Sequence, residues 1–305
     1  MIEGATLAPG ALTPRYRGAT GVSTCFGTFG ELLQGVLPGS DGDFLVTLPV
    51  ARWTMATFQV DPVPRGVQVR PAHKHKARRL AELILAGVGR PAGGLLIIDS
   101  SLPEGKGMAS SSADLVATAR AVANALHVDL TPGWLEHLLR QIEPTDGVLY
   151  PGIVAFHHRA VRLRARLGSL PTMTIVGLDE GGTVDTVEFN RIAKPFSAAD
   201  RREYARLLGA MTAAVAAGDL AAVGAVASRS AVMNQALWPK RTLPEVLRIC
   251  ADVGGLGVVA AHSGTMLGIL LDRADPAYLR QVAVVVRACS ALSDDVALYR
   301  SLSFD

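Results

Sequence analysis

Cysteine is scarce and scattered in this chain of 305 residues: Cys25, Cys250 and Cys289 form no CxxC pair and are odd in number. That excludes a disulfide framework and a zinc knuckle, and buried thiols are expected. Long hydrophobic runs are missing too. The longest, such as Val282 to Val286, fall far below the ~18 apolar residues that cross a bilayer. The opening MIEGATLAPGALTPRYRG has no basic stretch followed by an apolar one. A cytoplasmic chain with no membrane partner is therefore expected. Neither sign of charge dominates: 30 Lys and Arg against 27 Asp and Glu leave +3, without a long basic block, so no nucleic-acid partner is expected. Metal-ligand spacing is lacking as well, because His73, His75, His157 and His158 have neither an HxxxH repeat nor a cysteine companion. The GxGxxA string from Gly254 to Ala260 follows a helical segment and opens no βαβ unit. It reads as a helix end entering a strand, not as a dinucleotide loop.

What is present supports a folded chain. Apolar residues make up 49% and charged residues 19%, enough to bury a core and to exclude disorder. The length suggests two domains. Residues 1–20, rich in Gly, Pro, Ala and Thr, read as an irregular arm. Alternating β-prone segments, Phe44 to Val50, Trp53 to Val60, Gly66 to Val69 and Leu95 to Asp99, surround a helix from Lys76 to Ala86. Helices over Ser112 to Leu126 and Trp134 to Ile142 follow. The second half reads as a strand from Met173 to Leu178, the turn DEGGTVDT, and helices Ala198 to Ala217, Leu220 to Ala236 and Pro244 to Ala251. Strands Val258 to Ala261 and Met266 to Leu271, a helix Pro276 to Ala288 and a strand Ala297 to Leu302 complete it. This order suits an α+β fold with helices on one sheet face. The change of style near residues 165–171 divides the chain into domains 21–168 and 169–305.

The most informative segment is PEGKGMASSSA, Pro103 to Ala113, between the strand LLIID and a long helix. Gly105 and Gly107 allow tight turns that expose backbone N–H groups, and the helix start adds unpaired amides and a positive dipole end. Such a place attracts phosphate. Ser110, Ser111 and Ser112 add hydroxyls for phosphate oxygens or for Mg2+, a hard cation. From the residues alone, a serine-capped helix after a glycine loop is the alternative. A Walker A loop is excluded, because Gly107 follows Lys106 where that pattern needs Ser or Thr. Downstream, IEPTDG (Ile142 to Gly147) sets Glu143 and Asp146 around Pro144; the bland alternative is an exposed turn. A kinase needs a carboxylate to hold Mg2+ and a group to orient or deprotonate the attacking hydroxyl.

Pro103, Gly107, Ser110, Ser111 and Ala113, with Met108 in place of Leu, resemble the second signature of the GHMP small-molecule kinases, PxxxGLGSSAA. Ala109 stands where that signature has its middle glycine, and Ser112 replaces its first alanine. STCFGTFGELLQG, Ser23 to Gly35, is similar to the family's substrate-side signature. AAHSGTMLGILLD, Ala260 to Asp272, is similar to a diverged third signature whose glycine run is reduced to His262, Ser263, Gly264 and Thr265. The resemblance implies a two-domain GHMP kinase fold, with a ribosomal S5 domain 2-like N-terminal half that binds ATP and a ferredoxin-like C-terminal half.

It also implies ATP and Mg2+ as cofactors and a small amino acid as the acceptor. Phosphate binding is implied for Pro103, Gly105, Lys106, Gly107, Met108, Ala109, Ser110, Ser111 and Ser112, and for Ser263, Gly264 and Thr265. Ser111 and Glu143 would hold the metal, Asp146 would face the acceptor hydroxyl, and Lys106 would neutralise phosphate charge. Glu31, Gln34, Asp146 and His262 would surround the acceptor, although Glu31 and Gln34 read equally well as helix-start caps. For the acceptor carboxylate, Arg52, Arg229, Asn234 and His262 are unranked candidates. GELLQG, KGMASSSAD and IEPTDG look most like the branch that phosphorylates L-threonine for cobalamin side-chain assembly. Homoserine or another hydroxy-amino acid is the alternative acceptor, and a non-catalytic ATP or metabolite sensor is the alternative from another class. Homodimerisation is left open.

Overall fold

The computed structural model of the chain describes residues 18–39, 42–61, 65–89, 93–184 and 192–304. The expected N-terminal arm lies outside them up to residue 17, as do the last two residues of the DEGGTVDT turn. In chain order the elements are β1 (Thr20–Val36), β2 (Asp43–Asp61), β3 (Val67–Arg70), α1 (His75–Gly87), β4 (Gly93–Ser100), α2 (Ser110–Leu126), α3 (Pro132–Arg140), β5 (Ile153–His157), β6 (Arg162–Gly168) and β7 (Met173–Asp179). They continue with α4 (Ala198–Ala217), α5 (Leu220–Asn234), α6 (Leu243–Val253), β8 (Gly257–Ala260), β9 (Met266–Asp272), α7 (Tyr278–Cys289) and β10 (Val296–Arg300). The mixture is the α+β fold expected.

The chain forms two compact units. One holds the residues up to Cys25 with Trp53–Ser101 and Ala113–Ile142; the other holds Phe26–Arg52, Leu102–Ser112 and Glu143–Asp305. In the first unit, β2 pairs antiparallel with β4 from Thr54 opposite Ser100 to Asp61 opposite Gly93, and β3 adds to β4 in parallel. Leu80, Ala81 and Ile84 recur at helical spacing on α1 and are fully buried. Helix α3 starts where Thr131 accepts the Trp134 N–H and Pro132 occupies the first turn. Asp114 of α2 is buried and satisfied: Lys74 reaches its carboxylate at 2.5 Å and Thr54 Oγ1 donates to it at 2.9 Å. The lysine of HKH is thereby part of an internal ion pair.

In the second unit the strands run β10–β7–β9–β8–β1, each pair antiparallel, and the first part of β2 pairs with β5, which pairs with β6. Helices α5, α6 and α7 cover β7, β8 and β9 through a core that includes Val176, Leu178, Val246, Ile249, Val258, Leu267, Ile269 and Val285. The helix ends follow their sequence signals. Ser197 and Asp200 form a capping box on α4, Gly218 ends it in the left-handed region, and the Asp219 side chain caps α5. Cys25, Cys250 and Cys289 are buried, and burial pushes their thiols up, that of Cys25 to about 12. None of the described helices is long and apolar enough to cross a membrane.

Two expectations change, and one strand lies where none was expected. Phe44 to Val50 and Trp53 to Val60 belong to one strand, β2, because Ala51 and Arg52 between them are not turn formers. GELLQG is the end of β1, not a helix start; from Cys25 onward almost every residue of that strand is buried, so the alternation that betrays a strand disappears. Strand β6, RLRARLG, alternates exposed arginines with half-buried positions, and its charge masked its period.

Candidate active site

Residues 101–109 join β4 to α2. Gly105, Gly107 and Ala109 take φ of 70°, 84° and 56°, so the loop winds through the left-handed region just before the open amides at the start of α2. Ala109 thus adopts a glycine-like backbone at the position where the resembling signature has glycine. Around the loop, Thr265 N–H donates to Lys106 O at 3.2 Å, Gly30 N–H to Gly107 O at 3.0 Å and Thr28 N–H to Met108 O at 3.2 Å. A Cβ on Gly264 would lie 2.1 Å from Lys106 O, an approach only glycine permits. The loop carrying Ser263, Gly264 and Thr265 is therefore seated on the loop carrying Lys106 and Gly107. Met108 is buried beneath them, Ser110 and Ser112 are buried at the start of α2, and Pro103 is exposed.

Lys106 is held from the side. Its ammonium pairs with the Asp179 carboxylate and donates to Gly182 O at 2.7 Å. Burial resists the ionisation of Asp179, but the Lys106 ammonium and the Gly181 N–H outweigh it and hold the carboxyl below its ordinary value. Glu180, next along, accepts from both Thr242 N–H at 2.6 Å and Thr242 Oγ1 at 2.7 Å. Buried Lys240 donates to Gly264 O; burial lowers its pKa to about 8 against the pull of Glu180, Glu31 and Asp179. Asp179, Glu180 and Lys240 were not singled out in the sequence. Acidic residues in a glycine turn and one lysine before a helix carry no pattern that distinguishes them from solvated loop residues.

The two acids of IEPTDG lie against the serines. Ser111 Oγ donates to Glu143 Oε1, and Ser112 Oγ accepts the Asp146 N–H at 3.0 Å while facing Asp146 Oδ2 at 3.3 Å. The segment is tied down by Thr145, whose N–H donates to His158 O. The exposed-turn alternative is excluded, since Glu143 is 9% exposed and Thr145 1%. Burial drives the Asp146 pKa up to about 7, with the charges of Glu31 and Glu143 adding to the rise and the Ser112 hydrogen bond opposing it. Asp146 thus titrates where a general base is most effective. Ser111 and Glu143 bring one hydroxyl and one carboxylate oxygen to a point, and no cluster of three or more His, Cys, Asp or Glu that could hold a metal occurs among the described residues. That donor set fits Mg2+, which takes one or two carboxylates and completes its shell with water and phosphate oxygens.

On β1, Gly30 has φ 51°, and a Cβ there would meet Ala260 O at 2.4 Å. This close approach delivers Glu31 to the third-signature loop: its Oε2 accepts the His262 N–H at 3.0 Å and faces His262 Nδ1 at 2.9 Å. His262 Nε2 meets Ser230 Oγ at 2.9 Å, and Ser230 Oγ accepts the Gln34 N–H at 3.2 Å. Glu31, Gln34 and His262 are thus brought together, with the Glu31 charge felt at Asp146. Of the carboxylate candidates, Arg229 is exposed and paired with Glu203 at 3.4 Å, and Arg52 lies over the Tyr299 ring at 5.6 Å. Asn234 is buried.

Comparison with known proteins gives this arrangement its class. The model of the GHMP kinases N terminal domain matches residues 75–150, and a relative 31% identical spans 83% of the chain: the chain belongs to the GHMP kinase family and is a small-molecule kinase that phosphorylates a hydroxyl from ATP. That relative is an L-threonine kinase of Salmonella typhimurium, matched over 260 residues and 83% of its own length. An L-threonine kinase of Citrobacter freundii is 29% identical over 253 residues, 83% of this chain and 86% of that one. Among solved structures, homoserine kinase from Cytophaga hutchinsonii aligns with a TM-score of 0.72 over 98% of both chains at 15% identity. The fold is that of the GHMP kinases.

Proposed function

We propose that the chain phosphorylates the side-chain hydroxyl of L-threonine, giving O-phospho-L-threonine, with cobalamin side-chain assembly as the pathway the resemblance implies. The observation that carries the chemistry is Asp146, buried and locked by Ser112 beside the phosphate loop, with a second carboxylate, Glu31, near enough to raise its pKa. The choice of acceptor draws support from the two L-threonine kinase relatives.

In this reading the loop from Pro103 to Ser112 cradles the triphosphate with its backbone amides and serine hydroxyls, and Ser263, Gly264 and Thr265 close over it. Lys106, steadied by Asp179, adds positive charge at the loop's edge. Ser111 and Glu143 would hold Mg2+, which supplies charge neutralisation across the phosphates. Asp146 accepts the hydroxyl proton or fixes the oxygen in line with the γ-phosphorus, and Glu31, set by His262, faces the acceptor's polar groups. Positioning and charge neutralisation supply most of the rate.

ADP release measured with L-threonine, L-serine, L-homoserine and mevalonate tests the reading. L-threonine is expected to give the highest kcat/KM, and preference for another member of the panel would refute the acceptor. ATP binding without turnover of any of them would identify a sensor instead.

A further inference from the structure

Lys240 is 3% exposed, and its ammonium donates to a peptide carbonyl, Gly264 O. A buried charge is costly unless it is paired. The acids whose charges reach it are Glu180, Glu31 and Asp179, and their carboxylates are engaged elsewhere, with Thr242, His262 and Lys106. The charge of Lys240 is thus spent on the Ser263–Thr265 loop. We propose that Lys240 is a positioning residue for ATP: its ammonium seats Gly264 and, through two peptide groups in series, strengthens the Gly107 N–H as a donor to phosphate. The proposal rests on the phosphate-loop reading above and adds the charge that stands behind that loop.

The path can be followed bond by bond. Gly264 C=O and Thr265 N–H belong to one peptide group, and Thr265 N–H donates to Lys106 O at 3.2 Å. Lys106 O in turn shares its peptide group with the Gly107 N–H. This peptide is trans, so its N–H points opposite to its C=O and therefore away from Thr265. Among the described residues the Gly107 N–H donates to nothing. An ammonium on the first oxygen draws electron density along the chain, and hydrogen bonds in series polarise one another by about 10–30% per bond. Gly107 thereby offers an anion a more positive N–H than an isolated peptide would.

The arrangement is also braced. Lys240 N–H donates to Gln235 Oε1 at 2.6 Å, and Gln235 Nε2 donates to Lys240 O at 3.0 Å, so one side chain fixes the lysine's main chain at both ends. Two residues on, Thr242 is tied to Glu180, whose own N–H donates to Thr265 O at 3.1 Å. The segment from Lys240 to Thr242 therefore holds the loop at both Gly264 and Thr265. A Cβ on Gly264 would lie 2.1 Å from Lys106 O and 2.5 Å from Gly107 N. The two loops meet backbone to backbone, and a small shift of Gly264 would disturb the amide aimed at phosphate.

The charge is removable. Burial brings the Lys240 pKa down to about 8, against the pull of Glu180 and Asp179 at the end of β7 and of Glu31 on β1. Deprotonation weakens the first link of the chain, so ATP binding should weaken as pH rises through about 8.

The test is calorimetric titration of ATP with Mg2+ into wild type, Lys240→Met and Lys240→Arg, beside the KM for L-threonine at saturating ATP. Lys240→Met is expected to weaken ATP binding by about tenfold and to leave the KM for L-threonine within about twofold, and Lys240→Arg should recover part of the loss. Wild-type affinity for ATP should fall between about pH 7.5 and pH 9.5, whereas that of Lys240→Met should stay flat. In isotope-labelled protein without nucleotide, the Gly107 amide resonance should shift with a midpoint near pH 8 in wild type and not in Lys240→Met. If wild type binds ATP and Lys240→Met binds it within about twofold as well, the proposal is overturned and the kinase reading stands. Equal losses for ATP and L-threonine would overturn it too, as the mark of a lysine that only supports the fold. Should Lys240→Met fail to fold, wild type decides, and an ATP affinity that stays flat across pH 8 overturns the proposal. No binding of ATP to wild type at any pH would sink the phosphate-loop reading and this proposal with it.

Discussion

Replacing Asp146 by asparagine removes the charge and keeps the shape, so it isolates the group on which the proposed chemistry depends. In the unliganded chain its carboxyl titrates at about 7, raised by burial and by the charges of Glu31 and Glu143. A proton acceptor must be ionised, and a raised pKa means that the inactive, protonated form prevails below it. Roughly one eleventh of the molecules are ionised at pH 6 and roughly ten elevenths at pH 8, so wild-type kcat/KM for the acceptor should drop about tenfold between pH 8 and pH 6. Asp146→Asn should keep ATP affinity, lower transfer by ~10² or more, and lose this acid limb. A smaller loss is expected if Asp146 only orients the hydroxyl, because the loose transition state demands little activation of the nucleophile. Glu31→Gln removes a like charge and should move the limb to lower pH. Stability has its own sign. A raised folded-state pKa favours the fold below the unfolded value, near 4, and that advantage is lost as pH rises through about 7. Asp146→Asn should accordingly raise the melting temperature more at pH 8 than at pH 5. Flat wild-type kcat/KM from pH 6 to pH 8, together with near-normal transfer by Asp146→Asn, would refute the assignment and leave IEPTDG as a structural strap.

Ser111→Ala and Glu143→Gln should each lower turnover, with part of the loss recovered at high Mg2+ or with Mn2+; activity unchanged in both would remove them from the metal site. Gly107→Val should weaken ATP binding more than acceptor binding, since even a Cβ at that position would lie 2.4 Å from the Ala261 Cβ and the phosphate approach would be blocked. A titration showing wild-type ATP affinity in a folded Gly107→Val protein would count against the phosphate loop. Ala109→Gly should relieve the strain of φ 56° by about 1 kcal/mol, part of it returned as backbone entropy, so the melting temperature should hold or rise slightly. A clear fall would mean that the left-handed conformation is not strained there.

Legibility tracked the kind of signal. Helices with caps and an apolar stripe, such as α4 and α6, stood out because local chemistry specifies them, and PEGKGMASSSA and IEPTDG stood out because turn formers and hydroxyls crowd together. Strand β1 did not, since a strand buried on both faces loses its alternation, and its Glu31 and Gln34 read equally well as acceptor-site residues and as helix-start caps. The partners of those two, Ser230 and His262, sit some 200 positions away, and nothing local announces such a pairing. The same holds for Asp179 and Lys240: each is an ordinary charged residue until the fold surrounds it.

The contact between Glu31 and His262 spans 231 positions, and the pairing of β1 with β8 sets Glu31 opposite Ala260. During synthesis, which proceeds from the N-terminus, the ribosome has released β1 and the loop before α2 long before the strand and the loop that pack on them exist. Glu31 must wait, with its strand edge uncovered, until Ala260 and His262 have emerged, and pairings this distant close slowly. A product that stops short of residue 260 lacks β8 and the Ser263–Thr265 loop, so it exposes an open strand edge suited to aggregation or to recognition by a chaperone. The proposed phosphate cradle is thus assembled only once the chain has been made past Thr265, whose N–H reaches Lys106 O.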